Sequence, residues 1–142
     1  TGLILAANGR TFHRMGGEVS ATVKDAEAPA VNRLIAIANG YLHFATENPN
    51  LWRALFEVEM SRLADVPDWY MEELGRLFAI IAQPLAEIYP DIELSELDLR
   101  TRTLFSSVHG IVLLGTEQRI SGVPLERIER QIAYLLHSIA GE

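Results

Sequence analysis

The sequence predicts an all-α fold, a six-helix antiparallel bundle, and three observations carry that expectation. Apolar residues recur every three or four positions in one segment after another, which places them on one face of a helix. No convincing run of alternating β-branched residues lies between turn pairs. The breakers are few and well spaced, and they divide the chain into six pieces of helical length.

The first piece runs from about Gly2 to Lys24, with the stripe Leu5, Phe12, Met15, Val19 and Val23. Gly16-Gly17 is either a soft point in this helix or its end. Residues Asp25 to Ala28 lead to Pro29, whose fixed φ suits a first turn, and a second helix reaches about Asn48. Asn50 is the expected N-cap of a third helix, to Ala64. A fourth starts at Asp65 to Asp68 and runs towards Tyr89 with Tyr70, Leu74, Leu77, Phe78, Ile81, Leu85 and Ile88 on one arc. Pro84 should kink or shorten it, because proline lacks the amide donor. Ser95 opens a fifth helix ending near Ser121-Gly122. Pro124 opens the sixth, to Ala140, with Leu125, Ile128, Ile132, Leu135 and Ile139 as its stripe.

With 142 residues, no linker and no internal repeat, one domain over 1–142 is expected, large enough to bury a sizeable core. A formal charge of −7 argues against a nucleic-acid surface, which needs a basic stripe. The lack of cysteine removes disulfides, thiolate metal sites and thiol nucleophiles. The longest uncharged helical stretch, Thr103 to Thr116, has 14 residues, too short to cross a bilayer. No signal peptide is visible, so a cytoplasmic protein with no membrane partner is expected. The chain begins at Thr1 inside an apolar run, and an N-terminal part is expected to be missing.

The fifth helix stands apart, since from Thr103 to Thr116 no face carries a charge. Phe105, Val108, His109 and Val112 form one face; Thr103, Ser107, Gly110 and Leu114 form the opposite one. A helix with no wet face must be covered on both sides. Two covers are open: its own neighbours, or a second copy brought close by the small Ser107 and Gly110.

Polar residues inside apolar stripes mark candidate chemistry. Asn8 sits in the stripe of the first helix beside Phe12, Glu59 in that of the third, and His109 on the Phe105 face of the fifth. These groups are read as lining one cavity for a small molecule, walled by Tyr41, Phe44, Trp52, Phe56, Met60, Phe78 and Phe105, a mostly apolar lining with a few orienting groups. The alternative is that the same residues are ordinary core. No nucleophile elbow, phosphate loop, His-Glu-x-x-His or Glu-x-x-His occurs. Hence no catalytic residue, metal or cofactor is expected. His43 and Glu47 fall on a polar face and read as a solvated surface pair.

The string Phe44-Ala45-Thr46-Glu47-Asn48-Pro49, followed by Trp52-Arg53-Ala54-Leu55-Phe56-Glu57, resembles a hallmark of TetR-type bacterial transcriptional regulators. Phe105-Ser106-Ser107-Val108-His109-Gly110 is similar to the Trp-x-x-x-His-Gly signature of the WHG type of TetR C-terminal domain, with phenylalanine in place of tryptophan. Residues 1–24 resemble the helix that leaves the DNA-binding unit. The resemblance implies a domain that binds an effector and forms a homodimer, and it implies operator DNA as a partner only through a missing helix-turn-helix domain. It also implies that the last two helices of each subunit build a four-helix interface. Thr103, Ser107, Gly110, Ile111 and Leu114 are then expected at the two-fold axis. The sixth helix leaves its partner face open between its apolar arc and Gln131, Tyr134 and Ser138. A helical interaction module with a solid core and no ligand is the rival expectation.

Overall fold

The computed structural model describes residues 2–59 and 68–141, with the side chains of 2–6, 8, 56–59 and 70 left aside. Among the described residues it is all-helical, with six α-helices and no strand. They are α1 (Gly2–Ala21), α2 (Ala30–Glu47), α3 (Pro49–Glu59), α4 (Asp68–Ile88), α5 (Leu94–Thr116) and α6 (Ile128–Ala140), the last preceded by a 3₁₀ turn, Leu125–Arg127. Among these residues no helix is long and apolar enough to cross a membrane.

The apolar stripes become the core. Phe12, Met15 and Val19 of α1 meet Leu34, Ile37 and Tyr41 of α2, Leu77, Ile81 and Leu85 of α4, and Leu104, Val108 and Val112 of α5 in one buried cluster. α1 and α2 are held at close approach by Gly40, where a Cβ would press on Thr22 and Val19. Thr22 closes that junction by donating its hydroxyl to the Ala36 carbonyl at 3.0 Å. α1 and α4 lie alongside each other in the same sense, with Gly9 beneath the Trp69 ring and His13 3.5 Å from Glu73 one turn on. α2 and α4 run oppositely: Arg33, buried at the start of α2, binds Glu87 near the end of α4 and the Ala28 carbonyl.

Several boundaries differ from the sequence expectation, each for a local reason. α1 passes through Gly16-Gly17 without a break and ends at Ala21 instead of Lys24. Asn50 is not a cap: Asn48 ends α2 and its carbonyl accepts from Trp52, leaving Pro49 at the first helical position, where its missing amide is harmless. Pro84 neither ends nor shortens α4, because Leu77, Ile81 and Leu85 anchor the helix on both sides of it. α5 stops at Thr116, well before Ser121. Gln118 takes φ 54°, its amide donates to Gly115, and the Arg119 amide donates to Leu114. That is a Schellman ending built on glutamine, without the glycine that usually announces one. In α6 the core positions are Ile128, Ile132 and Leu136; Leu136 takes the place expected for Leu135, and Leu125 is left exposed in the 3₁₀ turn.

Candidate functional site

Four helices bring five rings to one place. Tyr41 follows Leu34, Ile37 and Ala38 on the buried arc of α2, so its ring is carried inward and only 4% of the residue is exposed. A buried phenol needs a hydrogen-bond partner, and Tyr41 Oη lies 2.7 Å from His109 Nδ1 on α5. Burial lowers the His109 pKa from its ordinary value, which favours the neutral ring at pH 7. With that proton on Nε2, the phenol donates and Nδ1 accepts.

Phe105, one turn before His109, stacks on the imidazole at 5.7 Å and 21°. Trp52 of α3 approaches it from another direction, with centroids 5.0 Å apart. Tyr41 forms T-shaped pairs with both Trp52 and Phe105, with centroids 6.0 and 5.5 Å apart. Phe78 of α4 completes the group, forming a T-shaped pair with Phe105 at 5.4 Å. Edge-to-face contacts set the positive rim of one ring against the negative face of the next, so the cluster is oriented as well as packed. One histidine therefore ties α2, α3 and α5 together through its two neighbours and its hydrogen bond.

Beside Tyr41 and Phe105 lies an interior cavity of about 30 Å³, lined also by Val19, Ile37, Ile81 and Leu136, so that α1, α2, α4, α5 and α6 all border it. Its described lining is apolar and uncharged. A small-molecule site usually needs roughly 300–1,000 Å³. In this state the cavity is well below that size, and a guest must displace side chains to fit.

Of the residues singled out from the sequence, Tyr41, Trp52, Phe78, Phe105 and His109 converge. Phe12 and Phe44 are buried in the core, and Phe44 has the Arg14 guanidinium 5.6 Å from its ring centre. The side chains of Asn8, Phe56 and Glu59, and the whole of Met60, lie outside the described residues. His43 stays on the surface, where it is 3.3 Å from Glu129 of α6. Sequence reading missed Asn39, whose Oδ1 is buried without a hydrogen-bond partner among the described residues. Its position inside the apolar run from Leu34 to Tyr41 was the available signal. Among the described residues no group of three His, Asp or Glu side chains could hold a metal ion.

The outer face of α5 is the second feature. Thr103 is exposed, Ser107, Gly110 and Ile111 are half-exposed, and Leu114 is exposed, as is Leu99, which the sequence reading had not placed there. Beside them α6 exposes Gln131, Ser138 and Tyr134, the last at 69%. The hydroxyls of Thr103, Ser107 and Ser138 turn back onto the carbonyls four residues earlier, at 2.8 to 2.9 Å. Their donors are spent within the helix. A Cβ at Gly110 would meet nothing within 4 Å, so the chain's own packing does not require glycine there.

A family model described as "Tetracyclin repressor-like, C-terminal domain" matches residues 34–139. No curated protein matches the chain. A solved structure of a protein with unknown function from Rhodococcus sp. RHA1 superimposes with a TM-score of 0.76 at 19% identity, covering 94% of this chain and 69% of that one. That likeness shows the fold.

Proposed function

This chain belongs to the family of tetracycline repressor-like C-terminal domains, and from that premise we propose that it is the effector-sensing and homodimerisation part of a cytoplasmic bacterial regulator, acting on operator DNA through a helix-turn-helix domain. The role is regulatory, with no catalytic residue assigned. The observation that carries this reading is the Tyr41–His109 hydrogen bond inside a ring cluster, next to a cavity that five helices share. A guest that spreads these rings must move the helices that bear them. Val19 puts α1 on the cavity wall, and Trp69 on Gly9 ties α1 to α4. α1 is then the lever to the DNA-binding unit. Only a guest that contacts two positions of that lever unequally can shift their populations, and thereby the spacing of two recognition helices.

We assign dimerisation to the outer face of α5 with Tyr134 and Ser138 of α6, two helices that pack against each other. Asn8, Phe56, Glu59 and Met60 stay in the proposed ligand set on the sequence argument alone. The small size of the cavity favours a second reading, a helical interaction module with a filled core and no ligand.

A thermal-shift screen read together with Trp52 fluorescence separates the two. The sensor reading expects a compound that raises the melting temperature of the chain and whose effect is abolished by Phe105→Ala and weakened by Tyr41→Phe. A chemically broad library with no such compound favours the module.

A further inference from the structure

Arg33, in the first turn of α2, is the one charged residue that is buried among the described residues. A buried guanidinium needs a counter-charge. Glu87, in the last turn of α4, supplies it by accepting from Nη2, while Nε donates to the Ala28 carbonyl at 3.0 Å. The two members of the pair differ in setting: the Arg33 side chain is 9% exposed and that of Glu87 is 51% exposed. Glu87 engages one nitrogen through one oxygen, and Nη1 has no bond to a described residue. Arg33 also borders a groove of about 280 Å³ between the end of α1, the loop after it, α2 and α4. Val23, Ile37 and Ile80 give the groove an apolar wall, and Ser20 and Gln83 bring an exposed hydroxyl and an exposed amide to it. Its volume is close to the roughly 300 Å³ at which small-molecule sites begin. None of the five clustered rings borders it.

We propose that this groove is a second ligand site, separate from the ring cluster, and that it binds a monocarboxylate with an apolar body, whose carboxylate takes the place of Glu87 on Arg33. The ligand class follows from the groups that are present. Departure of Glu87 alone would leave a buried cation uncompensated, so only another anion can replace it. A guanidinium offers a planar fork that matches two carboxylate oxygens side by side. Nη1, unused toward Glu87, provides the second prong. Glu87 can leave at low cost, because half of its side chain already meets water. The carbon body of the guest then covers Val23, Ile37 and Ile80, and removing that surface from water favours the guest over the resident side chain. The site stands or falls independently of the sensor reading of the ring cluster.

Isothermal titration calorimetry of the full chain with sodium octanoate, and with octan-1-ol as its neutral counterpart, tests this. Octanoate should bind saturably, and about tenfold more tightly than octanol. Glu87→Gln keeps the shape of the resident side chain and removes its charge. It should tighten octanoate binding several-fold even though the fold loses an ion pair, a gain that a purely structural Arg33–Glu87 pair does not give. Ser20→Leu, at an exposed position in the last turn of α1, narrows the groove and should weaken octanoate binding about tenfold with the melting temperature unchanged. Phe105→Leu, in the ring cluster, should leave octanoate binding within about twofold of the parent chain. The absence of saturable octanoate binding, equal affinity for octanol, or binding in Glu87→Gln no tighter than in the parent chain overturns the proposal, as does Ser20→Leu without effect. Loss of octanoate binding in Phe105→Leu with Ser20→Leu unaffected places the ligand in the ring cluster, which overturns this site and leaves the sensor reading standing.

Discussion

His109 shows how a single side chain acquires a setting that its residue type does not provide. Its imidazole lies between Phe105 and Trp52 and is bonded to Tyr41. Burial disfavours the protonated form, so its folded pKa lies below the ordinary value of about 6.5. The sign of the pH effect follows. Between the folded and unfolded pKa the unfolded chain binds more protons, so stability rises with pH in that window. The contribution is fully present above about pH 6.5 and is lost as pH falls from there through the lower folded value. We expect the melting temperature to fall on acidification from pH 7.5 to 5, and His109→Phe to flatten that part of the profile. Equal slopes for the two proteins in parallel melts would remove His109 as the origin. The residue was conspicuous in the sequence as a polar island on an apolar face. Its hydrogen-bond partner was not, because Tyr41 lies 68 residues away on another helix.

Two glycines of α5 illustrate what decides packing between elements. At Gly115 a Cβ would overlap Ile128 of α6 and press on the Val123 carbonyl, whereas at Gly110 it would meet nothing. Gly115→Ala is expected to cost about 1–3 kcal/mol by overpacking, outweighing the roughly 1 kcal/mol that alanine gains over glycine in a helix. Gly110→Ala is expected to be neutral or stabilising within one subunit. Urea titration of both variants checks the contrast; destabilisation of similar size at both sites would contradict it. The two positions look alike in the sequence, five residues apart in the same apolar stretch. Proline and glycine were uneven guides to the helix ends: Gly141 follows the end of α6 as expected, but α5 stops six residues before Gly122. The α5 terminus was placed too late because Gln118 supplies the positive φ that a glycine would have advertised. The 3₁₀ turn put Leu125 off the stripe of α6, and Leu135 was read for Leu136 because steps of three and of four from Ile132 both keep to one face.

At the scale of the molecule the open question is the second copy. The face of Thr103, Ser107, Gly110, Leu114 and Tyr134 carries no charge, and its serine and threonine donors are already used. A stable symmetric interface of this kind buries on the order of 2,000 Å² in total. We expect the chain to sediment as a dimer, and Gly110→Arg to yield a monomer, since a long cation is then placed at the axis while the subunit's own packing is undisturbed. The melting temperature of the parent chain should rise with concentration, as mass action requires of an associating fold. A chain that stays monomeric at high concentration, with a concentration-independent melting temperature, removes the dimer.

What the sequence alone determined is everything that depends on spacing along the chain. The all-helical class, the buried arcs of α1 and α4 and the two-sided character of α5 all follow from a period of 3.6 residues, and family membership is carried by strings of neighbouring residues. The tertiary structure alone decided which arcs meet. It set Tyr41 on His109 and Trp69 on Gly9, brought Phe78 of α4 against Phe105 of α5, and left Phe44 beneath Arg14 and apart from the described ring cluster. The reason is physical. A helical period states which side of a rod is apolar, but the partner of that side is chosen by the shapes of side chains dozens of residues away, which no local pattern contains.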